Sequence, residues 1–202
     1  MTIHSAAGPI VETDRAATLL EPLTGLVIEA CAAILTVDRR TMTIDGKDDG
    51  SPVTEADLKA DRIIAEGLAR LAPDLPTLSE ERAREARPSY RDSFFLIDPL
   101  DGTREFVEGR DEFTVNLALV TRGEPLLGIV GAPALGVVWR GVVGHGAQRI
   151  TLAQGASRIQ AVSAIRTRPL PRHGAPWVAA VSRSHGDAAT DRFITERPGA
   201  IR

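Results

Sequence analysis

Apolar residues in the first third of the chain recur every three or four positions. Leu20, Leu23, Val27, Ala30, Cys31 and Ile34 form one such stripe, and the spacing predicts an amphipathic helix that buries this side. Pro22 is placed in its first turn, where a missing N–H costs least. Residues up to about Asp14 carry no pattern and are expected to be poorly ordered. A second stripe, Ala60, Ile64, Leu68 and Leu71, predicts a helix from about Thr54 that stops before Pro73. The polar, glycine-rich stretch Asp45 to Pro52 between the two reads as a mobile loop.

The period then changes from helical to extended. Leu75 to Leu78 reads as a short strand, and Glu80 to Asp92 as a charge-dense, solvated helix or loop. Strands are expected at Phe94 onward, Phe113 to Val120, Leu126 to Gly131, Val137 to Val143 and Gln148 to Leu152, separated by Gly and Pro turns. A Ser/Arg/Pro-rich linker, Ala153 to Ala175, leads to a strand at Trp177 to Val181 and a helix at Asp187 to Thr195. The reading is an α+β protein in two parts: residues 15–152 as the larger subdomain and 153–202 as a partial α/β subdomain.

Composition narrows the function classes. At 202 residues and 43% hydrophobic the chain can bury a real core. A net charge of −3 gives no general attraction for nucleic acid or an anionic membrane. The longest uncharged run, Pro125 to Trp139, is too short and too rich in Gly and Pro for membrane insertion. No secretory signal is visible, and the single cysteine, Cys31, permits no intramolecular disulfide, so a cytoplasmic protein is expected. Cys31 lies on the apolar helix face and reads as core, not as a nucleophile.

The candidate chemistry is concentrated at the end of the Phe94 strand. Phe94-Phe95-Leu96-Ile97-Asp98-Pro99-Leu100-Asp101-Gly102-Thr103 passes abruptly from apolar residues to two carboxylates. Proline lacks an N–H, so the ladder is expected to stop there and the chain to turn, aiming Asp98 and Asp101 at one point. Two hard oxygen ligands so placed suit Mg²⁺ with positions left for water and a substrate phosphate. Taken alone, the same letters also describe an ordinary turn. Glu80 and Asp57 upstream favour the metal reading. Asp57 and Asp61 would by themselves be charges near a helix N-terminus, favoured by the dipole, and Asp61 is left with that role. Ser182-Arg183-Ser184-His185 sits in a strand-to-helix turn suited to a phosphate or ribose, or simply to helix capping.

Three ordered motifs carry a resemblance. Ser51-Pro52-Val53-Thr54-Glu55-Ala56-Asp57, Leu78-Ser79-Glu80-Glu81 and Asp98-Pro99-Leu100-Asp101-Gly102-Thr103 resemble the lithium-sensitive, Mg²⁺-dependent phosphatases of the inositol monophosphatase superfamily. Arg104 to Asn116 is similar to the CysQ-type 3'(2'),5'-bisphosphate nucleotidase branch. The resemblance implies a layered α/β sugar-phosphatase fold whose first subdomain, two long helices on an antiparallel sheet, is nearly complete. The second is expected to be truncated, because neither Trp139-Arg140 nor Trp177-Val178 matches the family's closing Trp-Asp-x-Ala-Ala motif. A homodimer is one way to cover its open edges.

The same resemblance implies roles. Glu80, Asp98, Asp101 and the Leu100 carbonyl are expected as Mg²⁺ ligands. Glu80 and Thr103 would orient and deprotonate a water, with Asp57 supporting them through Thr103 or through a further metal. Asp101 and the N–H groups of Gly102 and Thr103 would border the substrate phosphate, and Ser182 and His185 the nucleotide. The implied reaction removes the 3'-phosphate from adenosine 3',5'-bisphosphate, in a sulfate-assimilation setting. A non-catalytic remnant that binds metal or phosphate, and an inositol monophosphatase, are the competing readings.

Overall fold

The computed structural model describes residues 9–46, 52–82, 92–156, 158–170, 172, 175–176, 178–181 and 187–196. The chain divides into two units, Met1–Ile165 and Arg166–Arg202.

Helix α1 covers Thr13–Leu35 and buries Leu19, Leu23, Val27, Ala30, Cys31 and Ile34, the face that the apolar stripe marks. It starts well before Leu20, so Pro22 lies in its interior and not in its first turn. The lost hydrogen bond costs about 3 kcal/mol. Complete burial of Leu23, Val27, Ala30 and Ile34 beyond it outweighs that cost. Residues 9–12, just before α1, are tied down, contrary to expectation: Val11 is buried and its N–H donates to Ser93 Oγ at 2.8 Å. In return, Ser93 N–H donates to the Pro9 carbonyl at 2.9 Å. α1 is also long and apolar enough to cross a membrane, with a mean hydropathy of 1.6, but its buried side is the core of this unit.

The loop expected between the helices is partly a hairpin. Strands β1 (Ile44–Gly46) and β2 (Pro52–Thr54) pair antiparallel, with residues 47–51 outside the described set. Helix α2, Glu55–Leu71, opens on a capping box in which the Asp57 carboxylate accepts the Thr54 N–H.

Seven strands form one sheet in the order β3-β4-β5-β6-β7-β8-β9. They are β3 (Thr77–Ser79), β4 (Phe94–Asp101), β5 (Thr114–Thr121), β6 (Glu124–Ala132), β7 (Val137–Val142), β8 (Gly146–Leu152) and β9 (Ile159–Ile165). Only β3 and β4 run parallel; the rest is an antiparallel meander. α1 and α2 pack together on one face, burying Phe95, Ile97, Val115, Leu117, Leu119, Ile129 and Val138. On the other face Leu96 and Val130 are exposed, and a groove of about 540 Å³ runs past them to Glu80 and Asp98. Arg140 points inward from β7. Its buried guanidinium donates to Thr24 Oγ1 at 3.1 Å, Gln148 Oε1 at 2.9 Å and Glu21 Oε1 at 2.5 Å, which satisfies the charge and pins α1 to the sheet.

Two expectations are corrected here. The Ala153 to Ala175 linker contains β9, which pairs with β8 along Ala147 to Leu152 and so belongs to the first unit. β9 has no buried face, so it lacks the alternation by which strands are recognised. In the second unit Val178 makes one bridge pairing, and residues 178–181 form no strand. Its helix α4, Ala188–Thr195, is where expected, with Asp187 capping it by accepting the Thr190 N–H at 2.6 Å.

Candidate metal and phosphate site

β4 does not stop at Asp98. It runs through Pro99 to Asp101, with a shift in register: Asp98 pairs with Asn116 and Asp101 with Thr114. Three steps along β4 thus match two along β5, which is a one-residue bulge. The bulge accommodates a proline that has no N–H to give the ladder. It also has a geometric consequence. Side chains alternate along a strand, so residues three apart would point to opposite faces. The extra residue restores the parity, and Asp98 and Asp101 share the face of Asn116 and Thr114. Asn116 Nδ2 approaches Asp101 Oδ2 at 3.4 Å on that face.

Parallel pairing supplies the third carboxylate. Ser79 is level with Ile97, so Glu80, the next residue after β3, comes level with Asp98. Glu80 and Asp101 are exposed, whereas Asp98 is half-buried. Burial first, and then the neighbouring charges of Glu80 and Asp101, push the Asp98 carboxyl up to about 7. Its Oδ1 is buried with no hydrogen-bond partner among the described residues.

A buried acceptor oxygen among like charges fits a hard divalent cation. Mg²⁺ suits the oxygen-only donor set of Glu80, Asp98, Asp101 and the Leu100 carbonyl. Among the described residues no three His, Cys, Asp or Glu side chains are already closed around a common centre. Enclosing an ion therefore requires the exposed carboxylates to rearrange around Asp98, against which Glu80 already lies.

Beside this cluster lies a hydroxyl–carboxylate pair. Asp57 is fully buried; its Oδ2 accepts Thr54 N–H at 2.8 Å and Thr54 Oγ1 at 2.6 Å. Its Oδ1 stands 2.9 Å from Thr103 Oγ1, which is also 3.0 Å from the Leu100 carbonyl. Asp57 thus caps α2 and reaches across to the end of β4, a more specific position than a dipole charge.

Gly102 makes the turn between β4 and the short helix α3, Thr103–Val107, with φ +92°. A Cβ there would lie 2.7 Å from the Glu112 carbonyl. Gly102→Ala is expected to destabilise the fold by about 1–3 kcal/mol and to displace Thr103, as a urea titration would register. α3 has five residues, so any anion binding here depends on individual N–H groups and not on a helix dipole. Behind α3, Phe106 and Phe113 meet edge to face at 5.1 Å. The Arg39 guanidinium sits over both rings, 4.5 and 5.1 Å from their centres, and donates to the Arg110 carbonyl.

The structure thus brings Asp57, Glu80, Asp98, Leu100, Asp101, Gly102 and Thr103 to one end of the sheet. Ser182 and His185 lie outside the described residues. Cys31 is buried and its thiol is pushed up to about 12 by desolvation, in keeping with a core role. Four residues of this neighbourhood escaped sequence reasoning: Arg39, Asp61, Ser79 and Asn116. Asp61 is not a solvated helix charge. It is buried and accepts the Ser79 hydroxyl at 2.6 Å, with Arg82 Nε at 3.0 Å from its other oxygen. Its spacing of one helical turn from Asp57 was the available signal.

Comparison with known proteins agrees with this architecture. The pattern of the inositol monophosphatase family matches residues 16–197. The 3'(2'),5'-bisphosphate nucleotidases CysQ of Shigella flexneri and of Escherichia coli K12 are each 36% identical over 182 residues. Those alignments cover 88% of this chain and 69% of each relative. The crystal structure of CysQ from Bacteroides thetaiotaomicron superimposes with a TM-score of 0.68 at 25% identity, covering 94% of this chain and 71% of that one. The chain belongs to the inositol monophosphatase family, and within it is similar to the 3'(2'),5'-bisphosphate nucleotidases.

Proposed function

We propose that this chain is a Mg²⁺-dependent phosphomonoester hydrolase that removes the 3'-phosphate from adenosine 3',5'-bisphosphate. The observation that carries the reading is the half-buried, unpartnered Asp98 oxygen within a cluster of acids, next to the Asp57–Thr103 pair. The 36% identity to bisphosphate nucleotidases supports the substrate class.

Glu80, Asp98, Asp101 and the Leu100 carbonyl would hold the ion. Bound there, Mg²⁺ supplies Lewis acidity towards the phosphate and a lowered pKa for the attacking water. Thr103 donates its hydroxyl proton to Asp57, leaving an oxygen lone pair to accept from that water and aim it. Glu80 takes the water proton. The N–H groups of Gly102 and Thr103 face the phosphate oxygens. The water oxygen forms the new P–O bond in line as the bond to the 3'-oxygen breaks; that oxygen takes a proton from solvent water, and the proton held by Glu80 returns to solvent. No phosphoenzyme forms. The products are adenosine 5'-monophosphate and phosphate. Ser182 and His185 would contact the nucleotide, and a cytoplasmic, sulfate-assimilation setting is the context in which such a substrate has to be cleared.

Phosphate release from adenosine 3',5'-bisphosphate is tested beside an inositol monophosphate, with and without lithium. Faster, lithium-inhibited turnover of the nucleotide is expected. A preference for the inositol phosphate would reassign the substrate within the family.

A further inference from the structure

We infer that Asp61 is a positioning residue for Glu80, and that α2 acts as a rigid spacer between the two halves of the site. This inference rests on the reading of Glu80 as a metal ligand. Asp57 and Asp61 stand four residues, or about one turn, apart on α2, about 6 Å along the axis. Asp57 reaches Thr103, beyond the end of β4. Asp61 accepts the side-chain hydroxyl of Ser79, the last residue of β3 and the one immediately before Glu80. Its second contact is Arg82, at the other end of the short helical turn that carries Glu80. Glu80 is therefore flanked by two residues held by one carboxylate.

The energetics favour an orienting role. Asp61 is 8% exposed on the side of α2 that also buries Ala60, Ile64 and Leu68. An apolar side chain there would fill the position without desolvating a charge. Among the described residues the carboxylate is satisfied by Ser79 and Arg82, so what it supplies is direction: it fixes where β3 ends relative to Asp98. Partners that orient metal ligands in this way typically change metal affinity by about 10–100-fold when removed. The register of β3 against β4 ends with Ser79 opposite Ile97, and Asp61 fixes Ser79 there from the helix layer.

Mn²⁺ binding, followed by loss of the free-ion electron paramagnetic resonance signal, tests this without requiring turnover. Asp61→Ala is expected to weaken Mn²⁺ binding about tenfold or more. Asp61→Asn, which still accepts the Ser79 hydroxyl, should recover part of that loss. Ser79→Ala removes only a hydroxyl and is the variant to rely on if Asp61→Ala does not fold; it should weaken binding in the same direction. Combined, the two changes should cost no more than the larger single one, because they break the same contact. Folded Asp61→Ala or Ser79→Ala protein with affinity within twofold of wild type would overturn the inference and leave the metal reading standing. Wild-type protein that binds no Mn²⁺ would overturn both.

Discussion

Exchanging Asp98 for asparagine is expected to lower Mg²⁺-dependent phosphate release about a thousandfold while making the metal-free protein more stable at neutral pH. Both effects come from one oxygen pair. A ligand lost from a hard-cation site removes charge where the transition state needs it, and a factor of a thousand corresponds to about 4 kcal/mol of barrier. The stability effect has the opposite sign because the Asp98 carboxyl is pushed up to about 7 by burial, Glu80 and Asp101. In the unfolded chain the same group ionises near 3.8. Between those values the folded state holds a proton that the unfolded state has released, so the stability of the metal-free protein falls as pH rises from about 4 to about 7. Above that it is level. Asparagine does not titrate, so the variant should match wild type near pH 4, exceed it progressively up to about pH 7 and keep that advantage at pH 8. Solvent screening of a half-buried group limits the gain to about 1–2 kcal/mol. Urea titrations of the metal-free proteins at several pH values measure it. An asparagine variant that is less stable at pH 8 would contradict the account of Asp98.

Thr103→Ala should reduce kcat about 100- to 1000-fold with KM changed by no more than about threefold, the range ascribed to positioned proton-transfer groups. Thr103 Oγ1 has one proton and two acceptors within reach, Asp57 Oδ1 at 2.9 Å and the Leu100 carbonyl at 3.0 Å. Donation to Asp57 fixes the direction of the remaining lone pairs. Thr103→Ser keeps that arrangement and should retain most of the activity. Thr103→Val keeps the shape but strands a fully buried carboxylate oxygen, so it should lose activity and about 1–3 kcal/mol of stability. Steady-state kinetics of the three variants separates orientation from packing. If Thr103→Val were as active as wild type, the hydroxyl would have no part in the reaction.

Helices α1 and α2 and the strands β4 to β8 were legible because each has one buried face, and burial writes its period into the sequence. β9 was not, since all seven of its residues are exposed. β1 and β2, three residues each, are too short to carry a period. Pro22 misled because proline usually marks a helix start, and tertiary burial overrode that preference. Pro99 misled in the other direction: read as a terminator, it sits in a bulge that turns a spacing of three into a shared face. The acidic residues were therefore found for a partly wrong geometric reason. Asp61 went unassigned because its role depends on Ser79 lying across α2 in space, which separation in sequence does not reveal. Thr54-Glu55-Ala56-Asp57 reads as a capping box, and that signal was present in the sequence all along.

Phosphate release from adenosine 3',5'-bisphosphate, measured across a Mg²⁺ titration for wild type and Asp98→Asn side by side, is the most direct test of the central claim. Wild type is expected to release phosphate saturably and only with Mg²⁺, and the variant about a thousandfold less at every Mg²⁺ concentration. Equal release by the two proteins, or release unaffected by removing Mg²⁺ with a chelator, would contradict it.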